Sequence, residues 1–142
     1  MVDIEMSVFS KSVCLIVAVV ALFGAGCAKR VRFNPLPLAR SGTADARIEL
    51  TYNRNDTIIV KLSKVPDPSV LNDQYTCYVL WVATPDRRHV INAGQLRVEN
   101  SKAALSTLTP LRRFILFITA EPSGDMMTPG PDVLFETKEI NW

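Results

Sequence analysis

Beyond residue 45 the chain alternates apolar and polar residues with a period near two. Ile48, Leu50 and Tyr52 alternate with Glu49 and Thr51, and Ile58, Val60 and Leu62 alternate with Thr57, Ile59, Lys61 and Ser63. Successive side chains of a strand point to opposite faces, so this pattern predicts strands with one buried and one solvated side. Asn53-Arg54-Asn55-Asp56 lies between the two runs and predicts a hairpin turn. Val65-Pro66-Asp67-Pro68 ends the second strand, because proline has no N–H to donate into a ladder.

Two later segments are apolar at both parities. Tyr75 to Thr84 is the most β-prone stretch, and Phe114 to Ala120 is the second such run. Strands covered on both sides read this way, which predicts that both sit in the middle of sheets. Assigning Cys77, Val79 and Trp81 to the face between the sheets, opposite Phe114, Leu116 and Ile118, is one of two registers such a run allows, and it is the one expected here. Pro85 to His89 reads as a turn, Leu96 and Val98 alternate in a further strand, and Asn100-Ser101-Lys102 turns into Ala103 to Leu108. After a break at Pro110 and a loop with Pro122, Gly124, Pro129 and Gly130, Val133-Leu134-Phe135 starts the last strand.

About seven short strands with turn signals between them predict an all-β fold, a sandwich of the immunoglobulin or fibronectin type III kind over residues 46–142. No amphipathic helical segment of useful length interrupts them, and there is no internal repeat. Trp81 on the third strand suits that architecture, although the paired core cysteines of antibody domains are absent.

The N-terminal part is organised differently. Val13 to Phe23 is an unbroken apolar run preceded by Lys11 and followed by Gly24, Ala25 and Gly26. A spanning helix needs about 20 apolar residues, whereas a signal-peptide core needs about 7–15. Residues 1–26 therefore read as a helical signal peptide, and the alternative is an uncleaved N-terminal anchor. Asp3 and Glu5 are out of place in a positive leader, and a start at Met6 would remove both. Gly24-Ala25-Gly26-Cys27 resembles a bacterial lipobox, with Gly24 standing where an aliphatic residue is usual. That resemblance implies cleavage between Gly26 and Cys27, diacylglycerol on the Cys27 thiol, and an acyl chain such as palmitate on the new amino group.

Residues 27–45 read as the acylated cysteine and a flexible tether, because Pro35, Pro37 and Ser41-Gly42-Thr43 disfavour regular structure. Lys29, Arg30 and Arg32 stand where anionic headgroups would be, and each such charge near a membrane is worth about 1 kcal/mol. The competing reading is that they only keep the chain soluble.

Composition narrows the function. The net charge of +2 is too small for a nucleic-acid binder. The three cysteines form no metal-ligand spacing and no disulfide framework. Cys77 reads as a small core residue. The single histidine, His89, lies in a charged turn and cannot furnish a multi-histidine metal site. Met126-Met127 is too small a set for Cu(I) and reads as an apolar loop tip. Arg87-Arg88 and Arg112-Arg113 could form a basic patch or an ordinary charged surface. Asp125, Asp132 and Glu136 read as turn chemistry rather than an acid/base pair. There is no P-loop, dinucleotide fingerprint, nucleophile elbow or Cys/His quartet, so no cofactor, metal or catalytic residue is expected.

Val65-Pro66-Asp67-Pro68, Tyr78-Val79-Leu80-Trp81-Val82, Ala93-Gly94-Gln95-Leu96, Thr109 to Phe114 and Thr119 to Pro122 occur in this order. Together they resemble a group of uncharacterised bacterial secreted β-domains. The Tyr-x-x-Trp and Gly-x-Leu portions are similar to the extracytoplasmic domain of anti-sigma-K-type factors. The resemblance covers residues 46–137 and implies an immunoglobulin-like sandwich at the cell envelope, without catalytic residues. The expected function is a non-enzymatic lipoprotein, exported and membrane-anchored on the periplasmic side or outer surface. It would bind or scaffold an envelope protein or glycan. The alternative is a sensory or regulatory lipoprotein acting through a membrane signalling partner.

Overall fold

Period-two alternation becomes strand pairing almost wherever it occurs. The computed structural model describes residues 27–52 and 55–141, and the segment expected as a signal peptide, with Gly26 of the expected cleavage site, lies outside them. The strands are β1 (Ala28–Arg32), β2 (Asn34–Pro35), β3 (Thr43–Glu49), β4 (Asp56–Ser63), β5 (Cys77–Ala83), β6 (Val90–Leu96), β7 (Lys102–Thr109), β8 (Arg113–Glu121), β9 (Val133–Glu136) and β10 (Ile140–Asn141). They form two open antiparallel sheets, one in the order β1-β3-β4-β7 and the other β2-β9-β8-β5-β6, with β10 also pairing β8. Among the described residues the only helical elements are single 3-10 turns at Pro37–Ala39 and Pro68–Val70.

The sheets pack face to face. Ile48, Ile58, Val60 and Leu62 of the first meet Tyr78, Leu80, Val82, Phe114, Leu116 and Ile118 of the second in one apolar cluster. In β4 the expected alternation holds: Ile58, Val60 and Leu62 are buried while Lys61 is exposed. The chain crosses from β6 to β7 through a two-residue turn at Asn100-Ser101, closed by reciprocal hydrogen bonds between Glu99 and Lys102. Both turn residues have φ near +51° to +60°, the mirror-image geometry that matches strand twist in tight hairpins. Gly94, at φ +133°, sits where the β5–β6 register shifts opposite Leu80 and Trp81, a bulge that a side chain would strain.

Two expectations are corrected. The first concerns residues 28–45, which are not a tether. β1 pairs with β3 along its whole length, β2 pairs with β9, and Phe33, Ala39 and Ala44 are buried in the main core. The sandwich therefore begins at residue 28 rather than 46. The misleading signals were proline and small residues, and both have structural work here. Pro35 ends an edge strand and Pro37 opens the 3-10 turn, positions that need no N–H in a ladder. At Gly42 an added Cβ would lie 2.9 Å from the Ala39 carbonyl oxygen and 3.1 Å from the Phe135 ring, so close packing demands the small residue.

The second correction is the register of β5. Tyr78, Leu80 and Val82 point between the sheets, whereas Cys77, Val79, Trp81 and Ala83 join Ile115 and Phe117 in a second apolar cluster on the outer side. Phe114, Leu116 and Ile118 do face inward as expected. A buried indole N–H needs an acceptor. Trp81 finds one on the outer side, donating to Thr119 Oγ1 at 2.7 Å.

Candidate functional site

Cys27 is exposed, and the residue after it is already strand. No slack separates Cys27 from the sheet. The basic residues that follow are sorted by strand parity. Lys29 lies opposite Ile48, on the inward parity, and its ammonium donates to the Asn141 carbonyl at 3.0 Å. Arg30 and Arg32 lie opposite Arg47 and Asp45, on the solvated parity. The three residues expected to face a membrane together are thus divided between two sides.

Register then assembles a face that no local motif announces. Across the outer side of the first sheet run three rows: Arg30–Arg47–Ile59–Ser106, Arg32–Asp45–Lys61–Ala104, and Ala28–Glu49–Thr57–Leu108. Thr43, Ser63 and Lys102 extend it. An open groove of about 660 Å³ runs along Arg30, Arg32, Arg47 and Lys61. A second, of about 810 Å³, continues past Lys61 to Lys102 and Arg97. In the three rows the acidic residues are engaged, Asp45 meeting Arg32 at 3.8 Å and Glu49 meeting Arg47 at 2.8 Å, and Glu99 lines the second groove with Lys102 and Arg97. The charged ends of Arg30, Lys61 and Lys102 have no hydrogen-bond or ion-pair partner among the described residues, which leaves uncompensated positive charge along the grooves.

Four arginines elsewhere are paired. Arg112 pairs at 3.3 Å with Asp56, whose carboxylate is buried at the start of β4. Arg113 reaches Glu139 at 2.8 Å, and Arg88 reaches Asp86 at 3.5 Å. Arg87 pairs with Glu136 at 2.8 Å and lies 4.9 Å from the Phe117 ring centroid. The basic patch considered for these four residues is not one surface of free charge.

The outer side of the second sheet is closed rather than open. Residues 122–132 form a strap over the cluster around Trp81, whose ring stacks with Phe117 at a centroid distance of 6.3 Å. The buried Glu121 carboxylate holds the strap, accepting from Thr119 Oγ1 at 2.5 Å and from the Gly130 N–H at 2.7 Å. A Cβ at Gly130 would approach that carboxylate to 3.0 Å. Asn92 of β6 donates to the carbonyls of Gly124 and Met126 at 3.0 and 2.9 Å. Tyr75 donates to Asp132 at 2.5 Å, and this bond, which favours the neutral phenol, is the main reason its pKa is pushed up to about 12.

The remaining candidates fall into place around these features. Burial pushes the Cys77 thiol up, and its Sγ lies 3.9 Å from the Glu121 carbonyl oxygen. His89 is an exposed turn residue whose backbone closes the hairpin with Thr84. Met126 packs on the outer cluster while Met127 is 89 % exposed. Asp125, Asp132 and Glu136 are bonded to Ser123, Tyr75 and Arg87 respectively. Among the described residues no group of three or more His, Cys, Asp or Glu side chains is placed to hold a metal, and no helix is long and apolar enough to cross a membrane.

Arg47, Lys61, Arg97 and Lys102 were not singled out from the sequence. For Arg47, Lys61 and Lys102 the signal was present as polar positions in alternating strands, but joining them into one face required the pairing of β3 with β4 and of β4 with β7, while Arg97, just after β6, reaches the second groove from the other sheet. No protein-family model, curated protein or solved structure matches this chain.

Proposed function

We propose that this protein is a non-enzymatic lipoprotein of the bacterial envelope, anchored through Cys27, that binds an anionic partner on the cationic outer face of its first sheet. One observation carries the reading: a sheet face on which Arg30, Lys61 and Lys102 have no partner among the described residues begins one residue after Cys27. Cation clusters on a solvated surface attract acidic partners and raise their encounter rate. A lipid on Cys27 would hold that face at a fixed place, since β1 starts at Ala28.

The sandwich is of the immunoglobulin or fibronectin type III kind in this reading. The strand order supports it. Lettering β3, β4, β5, β6, β7, β8 and β9 as A, B, C, C′, E, F and G puts A-B-E in one sheet and C′-C-F-G in the other. Domains of this architecture present sheet faces and end loops to partners, which is fold-level analogy.

Two measurements test the proposal. The intact mass of the mature protein should begin at Cys27 and carry acyl groups, and Cys27→Ser should accumulate as uncleaved precursor. The variant Arg30→Glu/Lys61→Glu/Lys102→Glu should lose retention on an immobilised polyanion that wild type shows at low salt. A mature chain without lipid refutes the anchor, and unchanged retention refutes the binding face.

A further inference from the structure

We infer that the anionic partner of this face is the headgroup layer of the membrane that holds Cys27, so that the sandwich lies with its first sheet flat on the lipid. The inference rests on the reading of Cys27 as the anchor and of the cationic face as the binding surface, and it names the partner and the orientation. Geometry is the main ground. Ala28 is paired with Glu49 in the sheet, so the edge of the face lies one residue, about 3.5 Å of chain, from the anchored cysteine. β7, on the far side of the sheet, lies three strand spacings away, about 15 Å. Lys102 also lies six residues along β7 from the Ala28 row, about 20 Å, so a sheet lying flat is what brings Arg30, Lys61 and Lys102 to the headgroups together, and the absence of slack gives this contact a high effective concentration.

Charge and apolar placement agree. Anionic lipid attracts Arg30, Lys61 and Lys102, which have no partner among the described residues to give up. Leu108 is 61 % exposed on the same face, in the row that begins at Ala28 beside the anchor. Tyr52, fully exposed in the hairpin tip after β3, stands at the same end and has the amphipathic ring that favours the headgroup region. The other outer face offers no equivalent, being covered by the strap. In this orientation residues 122–132, with Met127, face away from the membrane.

The test uses the full chain as it is recovered from membranes, reconstituted into vesicles of phosphatidylethanolamine and phosphatidylglycerol. A benzophenone amino acid replaces either Ser106, exposed on β7 at the edge of the face far from the anchor, or Met127 on the strap, and irradiation captures neighbouring lipid. The expected result is a lipid adduct at position 106 and none at 127, with the 106 adduct lost in phosphatidylcholine vesicles. Each cation is worth about fivefold in this equilibrium, so R30E/K61E/K102E should also lose it. If that variant fails to fold, the phosphatidylcholine comparison reads the same charge dependence on the wild-type face.

An acylated chain that gives equal adducts at both positions, or none at 106, overturns the flat orientation while leaving the anchor intact. An unacylated chain with no adduct at 106 overturns both. An unacylated chain that still gives the phosphatidylglycerol-dependent adduct removes the anchor and retains the docking face.

Discussion

The two outer faces of this sandwich solve opposite problems. On the first sheet, solvated strand positions carry charge, and among the described residues nothing covers the face or pairs with Arg30, Lys61 and Lys102. On the second, β5 and β8 are apolar at both parities, and a strap pinned by Glu121, Asn92 and Tyr75 covers the surplus. The bare face costs the fold little and stays available for a partner. The covered face extends the core, with Trp81 and Phe117 as its centre. Conserving free energy and presenting chemistry have been assigned to different sheets, so perturbations of the two should behave differently.

Removing residues 28–45 should have the largest effect. It deletes β1, β2 and the first residues of β3, and with them the buried Phe33. Losing a buried phenylalanine side chain alone costs about 3–5 kcal/mol, against a total stability of about 5–15 kcal/mol for an ordinary domain. The shortened chain should show an unfolded circular dichroism spectrum. A native β spectrum with a cooperative melt would mean that the N-terminal strands are accessories.

Trp81→Ala should cost about 3–5 kcal/mol in denaturant unfolding and loosen the strap. The Cys77 thiol, inert in the wild-type fold, should then react with a thiol probe well before global unfolding. If the variant melts at the wild-type temperature and Cys77 stays protected, the outer cluster is not part of the cooperative core.

Tyr78→Phe removes a smaller contribution and tests its pH dependence. Tyr78 is fully buried, donates to the Pro66 carbonyl at 3.0 Å, and burial pushes its pKa from 10.0 up to about 12. The unfolded chain loses the phenolic proton first, so the stabilisation is present below pH 10 and falls as pH rises toward 12. Wild type should lose stability more steeply than Tyr78→Phe across that window, and parallel profiles would contradict the assignment.

The smallest effect should come from the bare face. Arg30→Ala, Lys61→Ala and Lys102→Ala should each change stability by less than about 0.5 kcal/mol, as unpaired surface charges do. Their combined loss should nonetheless abolish polyanion binding. A large drop in melting temperature would show that these side chains serve the fold.

Much of this architecture was readable from one sequence, and the failures have a shared cause. In β4, Thr57, Lys61 and Ser63 share one parity, which put Ile58, Val60 and Leu62 on the core side, where they are buried. In β5 both parities are apolar, and the pattern could not say which side met the other sheet. A buried tryptophan on the third strand suits a sandwich of the immunoglobulin kind, and this favours Trp81 inward. It points outward, where Thr119 satisfies its N–H and the strap buries it.

By itself, the sequence determined the all-β class, the β3–β4 hairpin, the positions of β5 and β8 inside their sheet, and most turns. All of these follow from local periodicity and from what proline and glycine permit. Tertiary structure alone decided that Phe33 and its neighbours belong to the core and which side of β5 is innermost. It also decided that Arg87, Arg112 and Arg113 are paired while Arg30, Lys61 and Lys102 have no partner among the described residues. These depend on strand partners far apart in the chain, and a side chain's surroundings are set by whatever register brings beside it.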